Sequence, residues 1–283
     1  MRALVLGARG LLGQDLCREL ALRGHEVFAC DRSDADITVD GRVASAIEKS
    51  GATHVFNCAA YTAVDLAEEE EEAAFAVNAL GAGRAARETA EGGLPFFHLS
   101  TEYVFDGTQE SGYSEGDEVK PLSAYGRSKA AGERRVLEAH PEACIVRTQW
   151  LFGTGGGNFV ETMLRLGSER KELSVVDDQF GSPTWSRDLA SGLVTLGESN
   201  ATGTYHLTNS ETTSWFGFAS AIFELARMDV MLRPVPTVAF PRPAPRPLHA
   251  VLHNDSWQSD GHRALRSWKA SLAAYLAARK DNT

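Results

Sequence analysis

The sequence predicts an α/β protein: a doubly wound parallel sheet with a smaller α/β region at its C-terminal end. Three observations carry that expectation. Strand-like and helix-like patterns alternate from residue 3 to residue 152, a glycine-rich turn separates the first strand from the first helix, and polar residues gather where the strands end. Strands joined through helices run parallel, because each crossover returns the chain to the same end of the sheet.

The first strand spans Ala3 to Gly7, and Gly7-Ala8-Arg9-Gly10-Leu11-Leu12-Gly13 leads into an amphipathic helix that runs to about Arg23. Gly24 stops the helix, and Glu26 to Asp31 reads as the second strand. Glycines in such a turn let the backbone approach a pyrophosphate, whose charge suits the amides and positive dipole end of the helix. The GxxGxxG spacing of Gly7, Gly10 and Gly13 follows a strand and precedes an acid that closes the next strand. That context marks a dinucleotide-binding unit of the Rossmann type. Asp31 is placed to accept a hydrogen bond from an adenosine ribose 2′-hydroxyl, which favours NAD, whereas Arg32 and Arg9 suit the 2′-phosphate of NADP. The cofactor therefore reads as NADPH or NADH.

The alternation continues with a helix from Arg42 to Ser50, a strand from His54 to Ala60 and a long helix from about Ala67 to Ala90. A strand from Phe96 to Thr101, a helix from Ser123 to Ala139 and a strand from Cys144 to Phe152 follow. Ligands in such sheets bind beyond the carboxyl ends of the strands, which is where Asn57 to Tyr61, Ser100-Thr101 and Arg147 to Trp150 fall. The acidic run Glu68 to Glu72 lies in the first turns of its helix, where the positive dipole end accounts for it as a solvated start. After the loop Gly153 to Gly157 come a helix from Asn158 to Arg170, a strand from Glu172 to Asp178 and an irregular loop from Gln179 to Thr184 before another helix. A strand from Thr204 to Thr208, a helix from Ser214 to Met228, a proline-rich loop from Pro234 to Pro247 and a helical tail from about Asp260 to Lys280 complete the chain. The prolines lack the donors of a central strand. Residues 1–152 are expected to form the dinucleotide-binding core with the tyrosine helix, and residues 153–283 mainly the substrate-binding region, with segments returning to the core.

With 43% apolar residues among 283, the chain can bury a sizeable core, and its net charge of −10 argues against a nucleic-acid-binding surface. No apolar run approaches the ~20 residues of a membrane span, and Met1 runs directly into a strand rather than a signal peptide. The expected location is the cytoplasm, with no membrane partner. Cys17, Cys30, Cys58 and Cys144 form no CxxC pair and read as buried structural thiols. The histidines lack a metal-binding pattern, and no metal is expected.

The chemistry concentrates between Ser100 and Lys129. Tyr125-Gly126-Arg127-Ser128-Lys129 sets a phenol and an ammonium four residues apart, on one face of a helix. A tyrosine titrates near pH ~10, and a fixed positive charge beside it favours the phenolate. Such a tyrosine can protonate a carbonyl oxygen as hydride reaches the carbon. Tyr and Lys at this spacing also snorkel over ordinary cores; Thr101 at a strand end, beside the glycine turn, selects the chemical reading.

These residues resemble the extended short-chain dehydrogenase/reductases, and within them the dTDP-4-dehydrorhamnose reductase family. The resemblance covers about nine tenths of the chain. It is most specific at Asn57 to Asp65, Ser100-Thr101-Glu102-Tyr103-Val104-Phe105, Tyr125 to Lys129, Arg147-Thr148-Gln149-Trp150-Leu151-Phe152-Gly153 and Asp178-Gln179-Phe180-Gly181-Ser182-Pro183-Thr184. It implies Tyr125 as proton donor, Lys129 as the group that holds the nicotinamide ribose and lowers the tyrosine pKa, and Thr101 as partner of the substrate carbonyl. Glu102 and Trp150 would contact the sugar, with Val64 in the same pocket. Gly10, Leu11 and Leu12 would meet the pyrophosphate and Asp31 the ribose, with Asp36 and Ile37 near the adenine. Ala59, Ala60, Tyr61, Thr62 and Leu99 would line the cofactor path. The implied activity is reduction of the 4-keto group of a dTDP-linked 6-deoxy-4-ketohexose, and a homodimer is compatible with it. The chain departs from the family pattern with Glu102 for the usual aspartate, Gln149 for serine and Ala250 for serine, while Arg187 stands where some members carry a metal-binding acid.

Two other readings belong to other classes. The beta subunit of methionine adenosyltransferase is similar to this family and binds a dinucleotide as a regulatory subunit; the complete Thr101, Tyr125 and Lys129 set favours an enzyme. An epimerase or dehydratase would need a further acid beside Thr101, where Glu102 is the one present. In the proline-rich loop, Arg242 or Arg246 suits a substrate diphosphate, against the plainer reading of solvated surface arginines.

Overall fold

The computed structural model describes residues 1–280. In chain order the elements of the first half are β1 (Arg2–Leu6), α1 (Leu11–Leu22), β2 (Glu26–Cys30), α2 (Arg42–Ser50), β3 (His54–Asn57), α3 (Glu71–Phe75), α4 (Ala82–Glu91), β4 (Phe96–Thr101), α5 (Ala124–Ala139) and β5 (Cys144–Thr148). The second half adds β6 (Leu151–Phe152), α6 (Phe159–Glu169), β7 (Glu172–Val176), β8 (Phe180–Gly181), β9 (Thr184–Trp185) and α7 (Ser186–Ser199). It closes with β10 (Gly203–His206), β11 (Thr213–Ser214), α8 (Trp215–Ala226), β12 (Met231–Val235), α9 (Asp255–Ser259) and α10 (Trp268–Lys280).

Six strands form one parallel sheet in the order β10-β5-β4-β3-β1-β2. The chain steps outward from β1 to β2 and then returns to β1's other side with β3. Helices consequently leave β1 and β3 on opposite faces, and a crevice opens beyond the carboxyl ends of those two strands. The period-2 alternation of β1 sorts its side chains: Ala3 and Val5 pack under α1 and α7 with Leu12, Leu16, Leu189 and Leu193, while Leu4 and Leu6 pack with Val43, Ala85, Ala86 and Val136 on the other face. A separate core of Phe152, Val160, Met163, Trp185, Phe218, Ile222, Trp268 and Tyr275 supports the C-terminal elements. The chain beyond residue 153 does not stay with that core alone, since β10 extends the main sheet beside β5 and α7 packs on α1.

Four expected elements differ. The long helix of 67–90 is divided into a 3₁₀ turn at Leu66–Glu68, α3, a π-helical segment at Ala76–Gly81 and α4. Tertiary contacts of Asn78 override the helical pattern there. The strand of 144–152 is broken at Trp150, whose φ of 46° is left-handed, so β5 stays in the main sheet while β6 pairs with β9. The strand of 54–60 stops at Asn57, whose side-chain oxygen accepts from the Ala59 amide and turns the chain. In the tail, Gly261 at φ 81° ends α9's turn, and an isolated bridge between Ser210 and Ser267 holds the chain extended before α10 begins. The prolines of the 234–247 segment behave as their missing donors require: Pro234 lies in β12, which among the described residues pairs only with β7.

Candidate active site

The glycine turn is shaped for close backbone approach. Gly7 has φ 74°, and a Cβ there would come within 2.7 Å of the Ala59 amide nitrogen, so the turns after β1 and β3 touch backbone to backbone. A Cβ on Gly13 would lie 2.3 Å from the Gly7 carbonyl oxygen, which fixes α1 against the turn. Gly10 begins α1 without a side-chain cap, and the first amides of a helix have no partner within it. Leu12 is buried beneath the sheet, while Leu11 is half-buried at the helix start. A pyrophosphate fits this cradle on the chemistry of its donors and the room left by its glycines.

At the adenosine end, Asp31 follows β2 and accepts from the Ser33 amide and hydroxyl at 2.7 and 2.6 Å; those bonds lead in holding its pKa below the usual range. Arg9 reaches it at 2.6 Å from a side chain 84% exposed, and Arg32 pairs with Asp36 at 3.0 Å. Both arginines that suit a 2′-phosphate thus already face carboxylates. Ile37 is buried in the core, near Gly81, rather than open at the crevice. Ala59 and Ala60 are half-buried beside the turn and Thr62 is exposed.

β4 delivers Thr101 to the crevice. Its hydroxyl donates to Glu102 Oε2 at 2.7 Å and accepts from the Tyr103 amide at 3.3 Å. Tyr125, in the first turn of α5, is 9% exposed and packs with Ala67, Ala74 and Ala124 beside Tyr61, Val64 and Tyr103. Tyr103 meets its ring edge-on at 5.4 Å. Burial, and then the neighbouring Glu102, raise the Tyr125 pKa, and burial carries the Glu102 carboxyl up to about 7.

Lys129 lies one turn after Tyr125, as the spacing requires, but its Nζ donates to the Leu99 carbonyl oxygen at 2.5 Å and sits 3.5 Å from His98 Nε2. Burial brings its pKa down to about 8 against the opposing pull of Glu133. In the free protein, burial and then the neighbouring carboxyl raise the Tyr125 pKa, and the Lys129 ammonium is turned to the backbone of β4.

The other expected substrate residues take definite positions. Trp150 stacks on Trp215 at 3.7 Å between ring centroids, and Trp215 donates to Gln179 at 3.1 Å. Gln149 is buried beneath Gly181, where a Cβ would be 2.7 Å from its Oε1. Arg246 donates to Asp65 at 2.6 Å, and the Ala244 amide donates to the same carboxylate at 3.3 Å, so the proline-rich segment closes onto the 60–65 loop.

Sequence reasoning missed two supports. Asn78, in the π-helical segment, accepts from the Tyr61 amide at 2.8 Å and donates to the Tyr61 carbonyl at 3.0 Å and to Ser128 Oγ at 2.9 Å; Ser128 in turn donates to the Tyr125 carbonyl. One buried amide thus ties the loop after β3 to the tyrosine helix from within a π-helical segment, a frequent mark of functional sites that the sequence pattern does not reveal. The acidic run is also more than a solvated helix start. Glu68 accepts from the Ala124 amide at 2.8 Å and Glu71 pairs with Arg127 at 2.8 Å, so two of its acids brace α5, while Glu70 accepts from the Tyr61 hydroxyl at 2.9 Å and holds the loop after β3. Among the described residues no group of His, Cys, Asp and Glu could hold a metal ion, and no helix is long and apolar enough to cross a membrane.

A parallel sheet with its switch point at a pyrophosphate cradle, and a buried threonine, tyrosine and lysine beside it, define a dinucleotide-dependent oxidoreductase. The family model described as RmlD substrate binding domain matches residues 1–280, and the chain belongs to that family. It is 43% identical over 278 residues to a dTDP-4-dehydrorhamnose reductase of Streptomyces griseus, covering 96% of this chain and 91% of that protein. It is 40% identical over 273 residues to a dTDP-4-keto-6-deoxy-D-glucose reductase of Streptomyces niveus, covering 96% and 95%. A crystal structure of dTDP-4-dehydrorhamnose reductase from Bacillus anthracis in complex with NADP superposes with a TM-score of 0.95 at 39% identity, covering 98% of each chain.

Proposed function

We propose that this protein reduces the 4-keto group of a dTDP-linked 6-deoxy-4-ketohexose, dTDP-4-dehydrorhamnose or a close relative, with NADPH or NADH. The observation that carries the reading is that Thr101, Tyr125 and Lys129 are all buried, with Lys129 reaching the β4 backbone two residues before Thr101. Residues 1–152 supply the dinucleotide cradle and the tyrosine, and residues 153–283 mainly the sugar side.

The bound dinucleotide supplies the hydride. Thr101 orients the ketone oxygen toward Tyr125, and Tyr125 gives that oxygen its proton as the carbonyl carbon is reduced to an alcohol. Lys129 holds the ribose and brings positive charge to the phenolate left behind. The high pKa of Tyr125 in the free protein keeps the phenol protonated and ready to donate. Glu102, Val64 and Trp150 face the hexose, and Arg246 exchanges Asp65 for the diphosphate. The two Streptomyces relatives are named for different 4-keto sugars. The test accordingly uses both, following loss of NADPH or NADH absorbance with purified protein. No turnover with either sugar nucleotide overturns the proposal.

A further inference from the structure

Behind Lys129 lies a histidine that the mechanism above does not use. His98 is on β4, three residues before Thr101, and is fully buried. Its Nδ1 is 3.1 Å from Asn57 Nδ2, and its Nε2 is 3.5 Å from Lys129 Nζ. The hydrogen-bond directions can be assigned from the backbone outward. Asn57 Oδ1 accepts from the Ala59 amide at 3.1 Å, so the end of Asn57 that faces His98 is its NH₂. His98 Nδ1 must then accept. A neutral imidazole that accepts at Nδ1 carries its proton on Nε2, the atom facing Lys129. Burial, and then Lys129 itself, hold the ring neutral.

An N–H pointed at an ammonium is an unfavourable pairing, whereas the same N–H pointed at an amine is a hydrogen bond. We propose that His98 is a positioning residue for Lys129: its ring, locked by Asn57 as the Nε2–H tautomer, offers the lysine a donor and so selects the amine over the ammonium. The other groups facing Lys129 do not supply this preference. Cys58, from the loop after β3, and Glu133, one turn further along α5, both favour the charged form. Glu133 is itself held by Arg147 through paired contacts at 2.9 and 2.7 Å. Tyr125, one turn earlier on α5, is held as the neutral phenol by burial. The Leu99 carbonyl takes one lysine proton in either state. The lysine of the free protein is thereby poised between charge states near the working pH, and a ribose hydroxyl arriving beside it changes which state is favoured. The catalytic consequence rests on the reductase reading; the protonation preference does not.

The Lys129 titration is read by nitrogen-detected NMR on the free, full-length protein, with the resonance assigned by Lys129→Arg. His98→Leu is expected to raise the lysine pKa by roughly one unit. His98→Gln, which keeps an acceptor toward Asn57 and a donor toward Lys129, is expected to leave it near the parent value. Asn57→Ala gives an independent route: it releases the tautomer, lets Nε2 accept from the ammonium and raises the lysine pKa without removing the ring. In turnover assays the basic limb of kcat/KM is expected to move with the NMR value in each variant. A lysine pKa unchanged in both His98→Leu and Asn57→Ala overturns the proposal, as does a His98→Gln variant that titrates like His98→Leu. Because the NMR titration needs no substrate, its outcome stands apart from failure of the 4-ketoreductase test.

Discussion

Tyr125 and Glu102 show how one pocket assigns different tasks to neighbouring acids. Tyr125→Phe keeps the ring that packs on Tyr103 and removes the proton, so kcat is expected to fall by about 10²- to 10⁴-fold while dinucleotide binding, followed by fluorescence titration, is retained. Loss of binding in step with kcat would assign Tyr125 a structural role instead. Glu102 has a pH signature. Its pKa is raised from 4.5 to about 7 by burial, so the folded state binds this proton more tightly than the unfolded chain. The stabilisation is complete below about pH 4.5 and is lost as pH rises through about 7. Glu102→Gln is therefore expected to gain stability relative to the parent across that window, by up to about 3 kcal/mol in urea unfolding; a difference that does not vary with pH would show that Glu102 is solvated. Tyr125, Lys129 and Thr101 were legible in the sequence because their spacing relative to a helix and a strand end is local. The direction in which Lys129 points was not, since it depends on the Leu99 carbonyl and on His98, 30 and 31 positions away.

At the scale of elements, the tyrosine helix is held by close approach. A Cβ on Gly132 would come within 2.1 Å of the Asn78 carbonyl oxygen, and one on Gly83 within 2.9 Å of Arg135 Cβ. Glycines at these points let α4, α5 and the π-helical segment come near enough for Asn78 to reach both Tyr61 and Ser128. Gly132→Ala is expected to cost about 1–3 kcal/mol and to lower kcat, because the helix that carries Tyr125 must shift. Equal urea midpoints for variant and parent would show that the contact relaxes freely. The π-segment was invisible to periodicity: alanines and glycines along 73–86 fit an unbroken helix equally well, and a buried asparagine makes the difference. The parallel, doubly wound class of the sheet was legible from the alternation of strands and helices around the β1-α1-β2 glycine turn. The break at Trp150 was not, since a left-handed tryptophan is decided by its stack on Trp215, from a distant part of the chain.

At the scale of the whole molecule, polar contacts tie together segments distant in the chain. Asp15 of α1, buried, accepts from Ser186 at the start of α7 at 2.5 Å, and Asp65 holds the proline-rich segment through Arg246 and the Ala244 amide. Asp65→Ala is expected to speed amide exchange across 234–247 while leaving exchange in β1, β3 and β4 unchanged; equal speeding in both regions would mean that the pair supports the entire fold. The Arg9 contact with Asp31 has a consequence of a different kind. A ribose hydroxyl needs the carboxylate, whereas a phosphate needs the guanidinium, and the resting pair withholds each from its own ligand. Ionic strength loosens an exposed pair of this sort, so the ratio of NADPH to NADH affinity becomes a function of the salt in the solution as well as of the residues in the pocket.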